Sequence, residues 1–141
     1  MGKRLGRIFI FLLFIGIGLL AACSQPKEVA NEETMPAFLD VQLTVDLQNG
    51  QKNEPVLFQA KVTYGEKPVT GADEVVFEIW RAQDDNHEKI EIEHKENGIY
   101  ELEKSFDEEG TYYIIAHVTA ENMHNMPKEE FVIGQASVPE E

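Results

Sequence analysis

From residue 38 onward the chain alternates between apolar and polar residues, and that alternation is what most limits its fold. Leu39, Val41, Leu43, Val45 and Leu47 take every second position of 38–47, and Val56, Phe58, Ala60, Val62 and Tyr64 do the same in 55–64. A period of two places such a set on one face of a strand; it cannot make the apolar stripe of a helix. Further segments of strand composition follow at 75–80, 89–94, 99–106, 112–120 and 129–133. Turn signals separate them: Asn49-Gly50, Gly65 to Pro68 with Gly71, a polar stretch at 82–88, Asn97-Gly98 and Asp107 to Gly110. Asn-Gly between strands is the strongest hairpin signal. With no helical period and no internal repeat, the pattern predicts an all-β antiparallel sandwich of about seven strands.

One local pattern narrows the topology. Asp107-Glu-Glu-Gly110-Thr-Tyr112 has the form of a tyrosine corner, in which an inward tyrosine at the start of strand F bonds back to nearby backbone. Together with the strand count this predicts an immunoglobulin-like sandwich, with strands A to G in chain order. If Tyr112 points inward, then Tyr113, Ile115, His117 and Thr119 point outward. On the third strand Val75, Phe77 and Ile79 are expected inside, because the opposite parity would bury Glu78 at a cost. Trp80 would then be exposed beside Tyr113 and Ile115. An aromatic patch of that kind usually marks an interface, so these three are candidate docking residues.

The first part of the chain is of another kind. Lys3, Arg4 and Arg7 precede an apolar run over 8–20, too short for a comfortable membrane span and suited to a secretory signal. The run ends in Leu20-Ala-Ala-Cys23, which resembles a bacterial lipobox and implies cleavage before Cys23 and lipid on its sulfur. Cys23 is the only cysteine, so it has no intramolecular disulfide partner. The expected organisation is a signal peptide at 1–22, a lipidated flexible tether at 23–36, a domain at 37–135 and a tail at 136–141. The protein would then sit on the extracytoplasmic face of the cell membrane, held by acyl chains. The formal charge is −14, and removing 1–22, with three basic residues and no acidic one, would take it to −17. Such a surface repels nucleic acid, so none is expected as a partner. The sequence has no His-Glu-x-x-His, phosphate loop, Cys-x-x-Cys or nucleophile elbow, and nothing in it suggests an enzyme.

The chemistry that stands out is His117-Val-Thr-Ala-Glu-Asn-Met-His-Asn-Met126. Imidazole and thioether together suit soft copper, Cu(I) above all; zinc makes little use of thioether. In the expected topology His94 ends strand D, His117 nears the end of strand F, and Met123, His124 and Met126 occupy the F–G loop. All five then gather at one end of the sandwich as candidate ligands. His87, which precedes strand D, is expected toward the other end, about 20 Å away at ~3.3 Å per residue. Taken singly, a surface histidine is usually just solvated, and loop methionines can simply cap a sandwich.

Phe106-Asp-Glu-Glu-Gly-Thr-Tyr-Tyr113, His117-Val-Thr-Ala120 and Met123-His-Asn-Met-Pro127 together resemble the YtkA-like family of small bacterial lipoproteins. The resemblance extends back through Val75 to Trp80, His87-Glu88, His94 and Gly98-Ile-Tyr100. It implies a β-domain outside the membrane and a relation to FixH-type proteins, which are linked to copper-oxidase assembly. It also implies that His87 belongs to the ligand pattern, against the topological expectation. His124-x-Met126 is similar to the closing half of the motif of secreted PCuAC-type copper chaperones, whose upstream His-Met pair is missing here. Two functions stay open: a lipid-anchored copper-binding module serving a membrane partner such as an oxidase under assembly, and a metal-free adaptor or ligand-binding sandwich using the outer face of strands C and F.

Overall fold

Ten strands, and no helix, make up residues 36–47 and 50–138, the part of the chain that the computed structural model describes. The signal segment, Cys23 and its lipid, nearly all of the tether and the last three residues of the tail lie outside the described residues. Those described belong to one unit, Thr34–Glu141. Among them no helix is long and apolar enough to cross a membrane.

The long strands fall where alternation places them. β1 (Leu39–Leu47) pairs antiparallel with β2 (Pro55–Tyr64), and β2 also pairs with β7 (Ile99–Ser105) and with the two-residue β3 (Lys67–Pro68). The short β6 (His94–Glu96) completes this first sheet beside β7. In the second sheet β4 (Glu74–Arg81) lies between β8 (Gly110–Ala120) and β5 (Glu88–Glu91). β10 (Lys128–Ile133) and the short β9 (Met123–Asn125) both pair with the other edge of β8. The first sheet therefore runs β1-β2-β7-β6 and the second β10-β8-β4-β5. This is the immunoglobulin arrangement: A-B-E-D faces C′-C-F-G, with β5 in the C′ place.

The core lies between the inner faces. Phe58, Phe77 and Ile114 are fully buried, each worth about 1.5–3 kcal/mol relative to exposure. Phe58, Phe106, Tyr112 and Phe131 form one aromatic cluster, with Phe106 and Tyr112 centred 4.7 Å apart. Here the tyrosine corner closes: the Tyr112 hydroxyl donates to the Glu108 carbonyl oxygen at 3.0 Å.

Two expectations need correction. The stretch 89–94 is not one strand. β5 stays in the β4 sheet until Ile92, whose N–H donates to the Val75 carbonyl at 2.8 Å. The chain then crosses at Glu93 and His94 pairs with Tyr100 in the opposite sheet. Burial drives the break, because Ile92 is drawn into the core between the layers. Nor is there an F–G loop. β8 turns into β9 through Glu121 and Asn122 alone, with φ of 53° and 59°, and Ala120 pairs with Met123. Two successive left-handed residues are the mark of a type I′ hairpin turn, whose twist matches that of the strands it joins.

Candidate functional site

Strand parity on the second sheet decides which side chains can meet. Val75, Phe77 and Ile79 are buried, so Val76, Glu78 and Trp80 face out. Register sets Val76 beside His117, Glu78 beside Ile115 and Trp80 beside Tyr113. On the other edge of β8, Val118 pairs with Asn125, Ile115 pairs with Lys128, and the Ala116 N–H donates to the Pro127 carbonyl. The register is the same on both sides of Pro127, which puts Met126 opposite His117. His124 stands opposite Thr119 on that same outer face.

The centre of the face is Glu78. Its Oε2 lies 2.6 Å from His117 Nε2 and its Oε1 lies 2.7 Å from His87 Nδ1. Lys89 Nζ approaches to 3.6 Å. Only 13% of this side chain is exposed, so the carboxylate depends on these partners in place of water. Its pKa is lowered, most of all by the His87 hydrogen bond; burial works against the shift, and the His117 bond and the Lys89 charge add to it. His87 also stacks on Trp80, with ring centres 4.3 Å apart and planes 10° from parallel. Lys128 Nζ lies over Tyr113 at 4.3 Å and over Trp80 at 5.1 Å, each an attraction of about 0.5–1 kcal/mol at an exposed site.

Of the expected ligands, the structure brings together His117, His124 and Met126. The rings of His117 and His124 are centred 6.2 Å apart, and Met126 is 47% exposed. His117 has Nε2 committed to Glu78, and His124 has Nδ1 committed to the Thr119 hydroxyl at 2.8 Å. His117 Nδ1 and His124 Nε2 have no partner among the described residues.

Met123 does not join them. It pairs with the inward Ala120 and packs half-buried against the core, on the face opposite His124. His94 does not join them either: it lies in the other sheet, its Nε2 accepts from the Gly98 N–H at 3.1 Å, and its ring rests on Tyr100. Gly98, at φ 76°, holds that turn so close to the Val62 carbonyl that no side chain would fit. His87, expected about 20 Å away, instead shares a carboxylate with His117. The reason is the C′ strand: the β4–β5 register pairs Ile79 with Glu88, so the next pair outward is Trp80 with His87.

Trp80, Tyr113 and Ile115 lie on the outer face, each half-buried. Beside them opens a cleft of about 660 Å³, bordered by Trp80, His87, Tyr113, Asp84, Asp85 and Glu130. Glu78, Thr119 and Lys128 were not singled out from the sequence as part of any site. For Glu78 a signal was present: an acid inside Val75-Val-Phe-Glu-Ile-Trp80 must find partners once the strand is central.

The YtkA-like family model matches residues 36–117. The chain belongs to the YtkA-like family. The matched span takes in β1 through most of β8 and so includes Glu78, His87, His94 and His117 of this YtkA-like domain; Met123, His124 and Met126 lie beyond it. Among solved structures, a computationally redesigned β-sandwich protein is similar at 14% identity and a TM-score of 0.43, over 70% of this chain and 94% of that one. No curated protein matches the chain.

Proposed function

We propose that this YtkA-like protein is a lipid-anchored, extracytoplasmic copper carrier. It holds Cu(I) as cargo between His117, His124 and Met126 and passes it to a membrane partner such as an oxidase under assembly. The role is binding and delivery, without a reaction. The observation that carries this reading is the pairing of two half-committed imidazoles with an exposed thioether on one rigid face. An imidazole nitrogen sits about 2 Å from its ion, so two rings on one ion have centres up to about 6 Å apart. The 6.2 Å separation of His117 and His124 is close to that limit and needs only a small adjustment. Each ring already has its second nitrogen held by a neighbour, as metal-bound histidines do.

Donor chemistry points to the ion. Among the described residues no three His, Cys, Asp or Glu side chains are arranged to hold a metal. Zinc usually takes a closed set of such donors, whereas the Met126 thioether beside the two imidazoles is a donor that Cu(I) accepts. Competition titration against a Cu(I) chelator tests the reading. Met126→Leu, which keeps most of the volume, should weaken Cu(I) by at least the ~10–100-fold that losing an outer-shell partner costs. Met123→Leu should leave it unchanged. Equal Cu(I) affinity in parent and Met126→Leu would remove the thioether and with it the copper reading.

The cleft beside Trp80 favours a second reading, a docking adaptor, compatible with the first because a carrier also needs a face for its recipient. A protein that takes up no Cu(I) in reducing buffer, yet loses a membrane partner on Trp80→Ala, would be an adaptor alone.

A further inference from the structure

Two imidazoles on one carboxylate satisfy the half-buried Glu78, and they also constrain the rings that do so. His117 and His87 approach different oxygens of Glu78, and both contacts are short. A carboxylate accepts, so the ring nitrogen facing it carries the proton. That places the proton of neutral His117 on Nε2 and leaves the Nδ1 lone pair free. Without the carboxylate, neutral imidazole is free to exchange between its two tautomers, and only one of them offers Nδ1 to an ion. Glu78 is in turn held from the far side: His87 donates to Oε1 and is itself clamped flat against Trp80, while Lys89 stands near Oε2.

We propose that Glu78 and His87 are positioning residues for the copper site: Glu78 fixes the tautomer and orientation of His117, and His87, stacked on Trp80, fixes Glu78. This rests on the copper reading for its purpose and corrects the resemblance on one point, since His87 then acts two steps from the ion and is not a ligand. The same chain of contacts ends at His87 and Trp80, both on the wall of the cleft, so Glu78 joins that wall to His117 through His87.

The test begins with the metal-free full chain, 15N-labelled, at a pH of about 8, where an ordinary imidazole is neutral. Long-range proton–nitrogen correlation should find His117 protonated on Nε2 and His87 protonated on Nδ1. A proton on Nδ1 of His117 overturns the proposal without any variant having to fold. Glu78→Gln should then mix the His117 tautomers and weaken Cu(I) about 10–100-fold, the range for loss of an outer-shell partner. In a His117→Ala background the same substitution should cost nothing more, because its effect runs through that ring. Adding Cu(I) should leave the His87 nitrogens as they were. Parent affinity in Glu78→Gln, or a copper-induced change at His87 Nδ1, refutes the positioning role. Failure of the copper reading looks different: His117→Ala would then bind Cu(I) as the parent does, and the metal-free tautomers would still decide whether Glu78 sets the His117 ring.

Discussion

Tyr112 and Glu78 are polar groups placed against apolar surroundings, and each is tolerated through named partners. The Tyr112 hydroxyl has the Glu108 carbonyl, and burial raises its pKa. Tyr112→Phe should lower stability by about 1 kcal/mol, read as a lower urea midpoint at unchanged slope. Glu78 gives a pH signature. Its carboxyl is more acidic folded than its ordinary 4.5, so as pH falls the unfolded chain takes up a proton first. The stabilisation is complete above about 4.5 and is lost as the pH falls below it. Between about pH 5 and about pH 3, the parent should lose more stability than Glu78→Gln in paired denaturation curves. At this scale the sequence was legible where the backbone decides direction: the outward turn of Trp80, Tyr113, Ile115 and His117 follows from alternation once Tyr112 is set inward and Glu78 outward. Which histidine meets which was not legible. His94 goes to the other sheet and His87 reaches Glu78 because one strand divides between sheets, and no single residue announces that.

The β8–β9 hairpin shows how an element can take a ligand set apart. A loop would have let Met123, His124 and Met126 converge; a strand alternates them, and Met123 goes to the core. The turn residues hid the hairpin. Glu121-Asn122 lacks the glycine that marks such turns, although both residues adopt the left-handed conformation. A non-glycine residue is held there at about 1–2 kcal/mol, less for asparagine. Replacing the pair with Asn-Gly should therefore stabilise the domain by about 1 kcal/mol and raise its melting temperature. Cu(I) affinity should be unchanged, because His124 and Met126 take their places from register with β8. Asn125 adds to the anchoring: its amide donates to the Leu39 carbonyl of β1 at 3.1 Å.

For the molecule as a whole, the sandwich was legible because two long strands and a tyrosine corner fix a topology with few alternatives. The proposed address rests on Leu20-Ala-Ala-Cys23. Cys23→Ala should move the protein from the membrane fraction to the soluble extracytoplasmic fraction, or hold it as an uncleaved precursor, by fractionation and lipid labelling. Lipidation would concentrate copies of this sandwich on one surface, and the divided strand bears on how they coexist there. Where β5 leaves one sheet and β6 joins the other, each sheet ends in a strand of only four or three residues. Glu88, Lys89 and Glu91 occupy one of these edges, and Lys95 and Glu96 the other. An edge that short and that charged offers a neighbouring chain almost no ladder to extend. Along this side, crowded sandwiches can touch without their sheets fusing into a common one.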